Sequence, residues 1–203
     1  MDKDILEIYN ILLEKFGNQG WWPVTDKRNR QFEIVVGAIL TQNTSWKNVE
    51  KAIKKLKENN MLTKQAIINT DTKQLAKLIR SSGYYKQKAK KLREFANFKK
   101  EITRENLLSI WGIGDETADS ILLYAYNEPY FVIDAYTKRI FQRLGYKQST
   151  YKELQELFTK NLPKDIKIYK EYHALLVRLA KENCKKIPEC KTCVLRKKCS
   201  YML

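Results

Sequence analysis

Apolar residues recur at helical spacing along almost the whole chain, and polar breaks between them mark where one helix stops and the next begins. Residues 4–16 put Ile5, Ile8, Tyr9, Leu12, Leu13 and Phe16 on one face. Residues 32–40, Phe-Glu-Ile-Val-Val-Gly-Ala-Ile-Leu, form a nearly unbroken apolar run. Periodicity alone fits a buried strand or a buried helix there, and the helical neighbours decide for a helix. Val49, Ala52, Ile53 and Leu56 share a face, as do Leu75, Leu78 and Ile79 behind Asp71 and Thr72. Gly83-Tyr84-Tyr85 breaks the series before a helix with Ala89, Leu92 and Phe95 inward and Lys86, Lys88, Lys90 and Lys91 on a solvated face. Thr103 caps a short helix predicted to end at Trp111, and another opens near Asp115 with Ala118, Ile121, Leu122 and Ala125 buried. Val132 and Ile133 lead into Asp134 and a helix carrying Ile140, Phe141 and Leu144. Leu154, Leu157 and Phe158 mark the next, and Ile166, Tyr169, His173, Leu176 and Leu179 stripe the last long one, where His173 reads as a core or boundary residue. With no internal repeat, low-complexity segment or strand pair, the fold class is all-α.

Two glycines interrupt this pattern with chemical consequences. Gly112 and Gly114 flank Ile113 between two short helices, which makes a helix-hairpin-helix. Glycine permits the tight turn and leaves backbone N–H groups bare at a helix start, where partial positive charge suits a phosphate oxygen. Composition agrees: 39 Lys and Arg against 23 Asp and Glu give a net charge of +16, with a single histidine, so the field fits a polyanionic partner at any pH near neutrality. No stretch approaches the ~20 apolar residues of a membrane span, and the start Met-Asp-Lys-Asp lacks a secretory pattern. The expectation is a cytoplasmic, nucleoid-associated monomer with no membrane contact.

Cys184, Cys190, Cys193 and Cys199, spaced C-x5-C-x2-C-x5-C, are the only cysteines. In a reducing compartment four thiolates this close suit a metal site, either zinc or an iron–sulfur cluster. Asp134, standing before a helical run, reads by itself as an N-cap. Trp21 and Trp22 sit in a polar loop before Pro23, where two indoles either anchor the loop or line a cavity for a base.

The Gly-Ile-Gly hairpin followed by Asp134, the Leu-Thr-Gln-Asn-Thr turn of residues 40–44, the Gly-Tyr-Tyr-x-x-Lys-Ala segment and the terminal cysteines together resemble the helix-hairpin-helix glycosylase superfamily that includes endonuclease III. The resemblance covers nearly the whole chain. It implies that Gly112, Ile113 and Gly114 bind double-stranded DNA, that Asp134 is catalytic and faces the sugar of a flipped nucleotide, and that Gln42 wedges into the space the nucleotide leaves. It implies a 4Fe-4S cluster on the four cysteines, ahead of zinc, although the first gap is one residue shorter than the usual six. It also implies two helical lobes, residues 29–133 as a continuous bundle with the hairpin and residues 1–28 plus 134–203 as the cluster-bearing lobe, with DNA in the cleft between them.

One departure bears on chemistry. Lyase members carry a lysine two residues after the second hairpin glycine, and this chain has Glu116 there. A carboxylate cannot form an imine, so the expected enzyme is a monofunctional glycosylase with water as nucleophile. Glu116 then either serves the helix dipole or helps select substrate. Trp21, Trp22 and Trp46 resemble the pocket walls of the endonuclease III-like 3-methyladenine DNA glycosylases, and a methylated purine cation needs stacking more than a general acid. The expected substrate is accordingly an alkylated purine in duplex DNA. The competing readings are a glycosylase for mismatched or deaminated bases and a non-catalytic DNA clamp.

Overall fold

The computed structural model describes residues 3–25 and 28–202; the first two residues of the Met-Asp-Lys-Asp start lie outside them. Among the described residues there is no strand, and the chain is all-α. It divides into two compact units, Trp22–Asn127 and Met1–Trp21 with Glu128–Leu203. These boundaries lie a few residues earlier than the sequence reading placed them.

The unit 22–127 is built on two helices that are apolar nearly all round, the pattern of elements buried on every side. α2 (Arg30–Leu40) is buried from Glu33 to Leu40. It packs on the run that begins as α8 (Asp115–Ser120) and widens into a π-helical turn at Ile121–Tyr126, buried from Thr117 to Ala125. The buried acid of α2, Glu33, accepts from the N–H and hydroxyl of Thr25 at 2.8 and 2.9 Å, which keeps it paired and ties down the preceding loop. Around this pair lie the amphipathic α3 (Trp46–Glu58), α4 (Lys64–Asn69), α5 (Thr72–Leu78), α6 (Tyr85–Asn97) and α7 (Arg104–Leu108). Side-chain oxygens of Thr63, Asp71 and Thr103 cap α4, α5 and α7, each contributing about 1 kcal/mol. α7 stops at Leu108, three residues before the predicted end, because a turn is spent before the first hairpin glycine.

The second unit contains α1 (Lys3–Phe16), α9 (Ala135–Arg143), α10 (Tyr151–Asn161) and α11 (Ile166–Glu182). A capping box of Thr150 and Glu153 starts α10. The core here is aromatic: Phe131 stacks on Phe158 at 4.0 Å, with Tyr169, Tyr172 and Phe141 packed around that pair. This is why the extended segment after Asn127 belongs to this unit rather than to the helix before it. Asn127, left-handed at φ 59°, ends that helix, and Phe131 is already committed to the second core. Tyr172 donates its hydroxyl proton to the Ile5 carbonyl at 2.9 Å and joins α11 to α1.

Candidate functional site

The hairpin in the unit 22–127 is held from below by an ion pair. Arg104, the first residue of α7, places Nε 2.7 Å from the fully buried Asp119 and Nη2 2.5 Å from Asp115. The Asp119 hydrogen bond, opposed by burial, raises its already high pKa, so the pair stays charged. Ile113 and Ile110 turn inward and Ile113 N–H donates to the Ile110 carbonyl, which leaves Gly112 and Gly114 on the outside. Gly112 is left-handed at φ +81° and the stem of Lys91 lies across it, so a Cβ there would collide with Lys91 Cε. Trp111 projects from the turn, 49 % exposed, with Lys90 Nζ 4.3 Å from its ring centre. Glu116 stands exposed in the first turn of α8.

Gln42 is bound to this hairpin. Its amide donates to the Gly112 carbonyl at 3.1 Å and to the Thr117 hydroxyl at 2.8 Å, and its oxygen accepts from Lys91 Nζ at 2.5 Å. Lys88, assigned above to a solvated face, is buried instead, 1 % exposed, and donates to the carbonyls of Leu40 and Ser82 at 2.9 and 2.6 Å. Burial, then the charge of Lys91, lowers its pKa to about 8. The register carried this signal, since Lys88, Leu92 and Phe95 stand at i, i+4 and i+7. Of the tryptophans, Trp22 is buried at 6 %, packed edge-on against Trp46 at 5.2 Å, against Tyr124 at 5.1 Å, and over Gly37. Trp46 is half-buried, and Trp21 belongs to the other unit, where it lines a surface hollow with Gln19, Ala174 and Arg178.

In that second unit Asp134 caps α9. Its Oδ1 accepts from the N–H and the hydroxyl of Thr137 at 2.7 and 2.8 Å, while Oδ2 lies 3.6 Å from Nε2 of His173 on α11. Burial pushes the Asp134 carboxyl up, but His173 and then Thr137 outweigh it and hold it below the usual carboxylate range. The site is therefore a buried carboxylate that stays charged at neutral pH.

The four cysteines follow α11 on short turns. The Cys193 thiol is raised by burial and also by the neighbouring Cys184, Cys199 and Cys190, so the four share one electrostatic neighbourhood. Among the described residues no three His, Cys, Asp or Glu side chains converge as ligands of a single ion. Arg143 touches two of the thiols: Nη1 donates to Cys184 Sγ at 3.3 Å and its carbonyl accepts from Cys199 Sγ at 3.2 Å. This donor set, all sulfur with a guanidinium alongside, fits a thiolate-held group.

An all-α chain with a phosphate-suited hairpin, a buried charged aspartate and a terminal cysteine quartet defines a class of DNA base-excision proteins. The chain belongs to the HhH-GPD superfamily of base excision DNA repair proteins, whose model matches residues 36–164. It is 48% identical over 213 residues to the protein MJ1434 of Methanocaldococcus jannaschii, covering 96% of this chain and 95% of that one. It is 31% identical over 189 residues to endonuclease III of Thermotoga maritima, covering 89% and 87%. Among solved structures, the 3-methyladenine DNA glycosylase of Helicobacter pylori bound to 1,N6-ethenoadenine matches with a TM-score of 0.78 at 30% identity, over 88% of this chain and 97% of that one.

Proposed function

We propose that this chain is a monofunctional glycosylase that releases an alkylated purine, 3-methyladenine first, from double-stranded DNA. The observation that carries the reading is Asp134, a buried carboxylate kept ionised at the start of α9. A charge in that setting stabilises a positive sugar far better than one in water. When the C1′–N bond breaks, its electron pair leaves with the base. A 3-methyladenine nucleotide is already cationic, so the departing base is neutral and needs no acid. Water adds to C1′ and gives up a proton, and Asp134 steadies the sugar cation, orients the water, or does both.

Glu116 supports water over an amine as nucleophile, because an exposed carboxylate stands where a Schiff-base lysine would be. Gly112, Ile113 and Gly114 serve as the DNA backbone contact, Gln42 as the residue that enters the vacated stack, and Trp46 as a face for the base. Trp22, being packed under Trp46, serves as a buttress. The H. pylori 3-methyladenine glycosylase, similar over most of its length, favours this substrate class. Cys184, Cys190, Cys193 and Cys199 would hold a 4Fe-4S cluster, which supplies a structural cross-link for the C-terminal segment.

The test is base release from duplex DNA treated with a methylating agent, with the freed bases resolved by chromatography. Wild type is expected to release 3-methyladenine and Asp134→Asn to lose at least about 100-fold in rate. Release of uracil or thymine instead would move the assignment to deaminated bases, and undiminished release by Asp134→Asn would remove Asp134 from the chemistry. Borohydride is expected to trap no covalent protein–DNA adduct; an efficient adduct would mean that another lysine attacks the sugar.

A further inference from the structure

We propose that His173 is the positioning residue for Asp134, resting on the reading of Asp134 as the catalytic carboxylate. A carboxylate fixed through one oxygen can still swing about its Cβ–Cγ bond. Thr137 holds only Oδ1, and both of its donors come from α9, the helix that Asp134 itself caps. His173 Nε2 approaches Oδ2 from α11 at 3.6 Å, within ion-pair range and just beyond hydrogen-bond length, so the two oxygens face groups on two different elements. Both side chains are nearly buried, at 9% exposed for His173 and 13% for Asp134, and what remains open is therefore a narrow edge of the carboxylate. Nε2 can carry a proton in the imidazolium and in one neutral tautomer, and a closing of about half an ångström would bring either form to hydrogen-bond length of Oδ2. Aligning a catalytic group in this way requires no contact with substrate, which separates His173 from the residues that touch it.

His173 is also the only histidine in the chain. Its imidazole Hε1 proton therefore gives one resonance, and the pairing can be read in solution without any activity. That resonance is expected to shift in Asp134→Asn and to stay in place in Gln42→Ala. Single-turnover base release at saturating DNA separates alignment from binding. His173→Leu is expected to lose about 10- to 100-fold in rate with DNA affinity within about threefold of wild type. His173→Gln, whose amide can still donate to Oδ2, should recover to within about fivefold of the wild-type rate. Leu176→Val, a change in the same buried stripe of α11, is expected to lower Tm with a rate within about twofold.

A folded His173→Leu at the wild-type rate overturns the proposal. So does a His173→Gln as slow as His173→Leu, because a role in packing alone would predict that pattern. If Asp134→Asn keeps the wild-type rate, it is the catalytic reading of Asp134 that fails, and the resonance shift alone then reports whether the pair exists.

Discussion

Lys88 shows how a single residue can set both a local geometry and a pH dependence. Its ammonium satisfies the carbonyl at the end of α2, directly before the Thr41-Gln42 turn, and the carbonyl of Ser82. Lys88→Met leaves both acceptors without this donor and is expected to cost about 1–3 kcal/mol near pH 7. The folded pKa of about 8 lies below the ordinary 10.5, so between those values the unfolded chain binds the extra proton. The contribution of Lys88 to stability therefore rises with pH across that window. Urea unfolding of the two proteins should show their difference widening from about pH 8 to about pH 10; a flat difference would mean that Lys88 stays charged in the folded state throughout.

At the scale of the element, the two hairpin glycines are equivalent in sequence and different in structure. Gly112 is left-handed and lies against Lys91, whereas Gly114 has an ordinary φ of −100° and open space where a Cβ would go. Gly112→Ala is expected to destabilise the free protein by about 1–3 kcal/mol, through backbone strain and displacement of the lysine stem. That displacement also disturbs the hydrogen bond from Lys91 to Gln42, so the turn loses its tie to α6. Gly114→Ala should leave Tm within about a degree and weaken DNA binding about 5- to 10-fold, since a methyl group obstructs only the approach of a phosphate. Thermal melts and DNA titrations of both variants decide this, and equal losses of Tm would refute the distinction.

For the molecule as a whole, the C-terminal segment is the part least able to hold itself. Between Cys184 and Tyr201 the only buried hydrophobic residue is Leu195, and the regular structure is three short 3-10 turns. Side chains tie it to the helices of its own unit: Arg139 and Arg143 to the carbonyls of Cys184, Lys185 and Lys186, and Lys198 to Asp4 and Glu7. Exposed pairs of this kind contribute little each. Removing the iron of the proposed cluster with a chelator under reducing conditions is therefore expected to open this segment to protease while the helical circular dichroism signal stays largely intact. Protection unchanged by loss of iron would mean that the cysteines are dispensable for the fold. The net charge of +16 acts at the same scale, drawing the chain toward a polyanion whichever residues make the contact.

What the sequence determined by itself was local. Helical periodicity located the helices because burial of one face repeats every 3.6 residues, and glycine, threonine and aspartate marked turns and caps through their own backbone preferences. Asp134 before α9, the hairpin glycines and the cysteine spacing were all legible for that reason. Even the error at Lys88 was local, since its register pointed inward and only its charge argued otherwise. Tertiary structure alone decided the partners: His173 beside Asp134, Lys91 and Gln42 on the hairpin, Arg104 under it, and Arg143 against the thiols. Those pairings join residues far apart in the chain, and a hydrogen bond acts over about 3 Å of space with no regard to sequence distance. No period or motif records which distant side chain a buried charge will meet, and burial makes that meeting necessary.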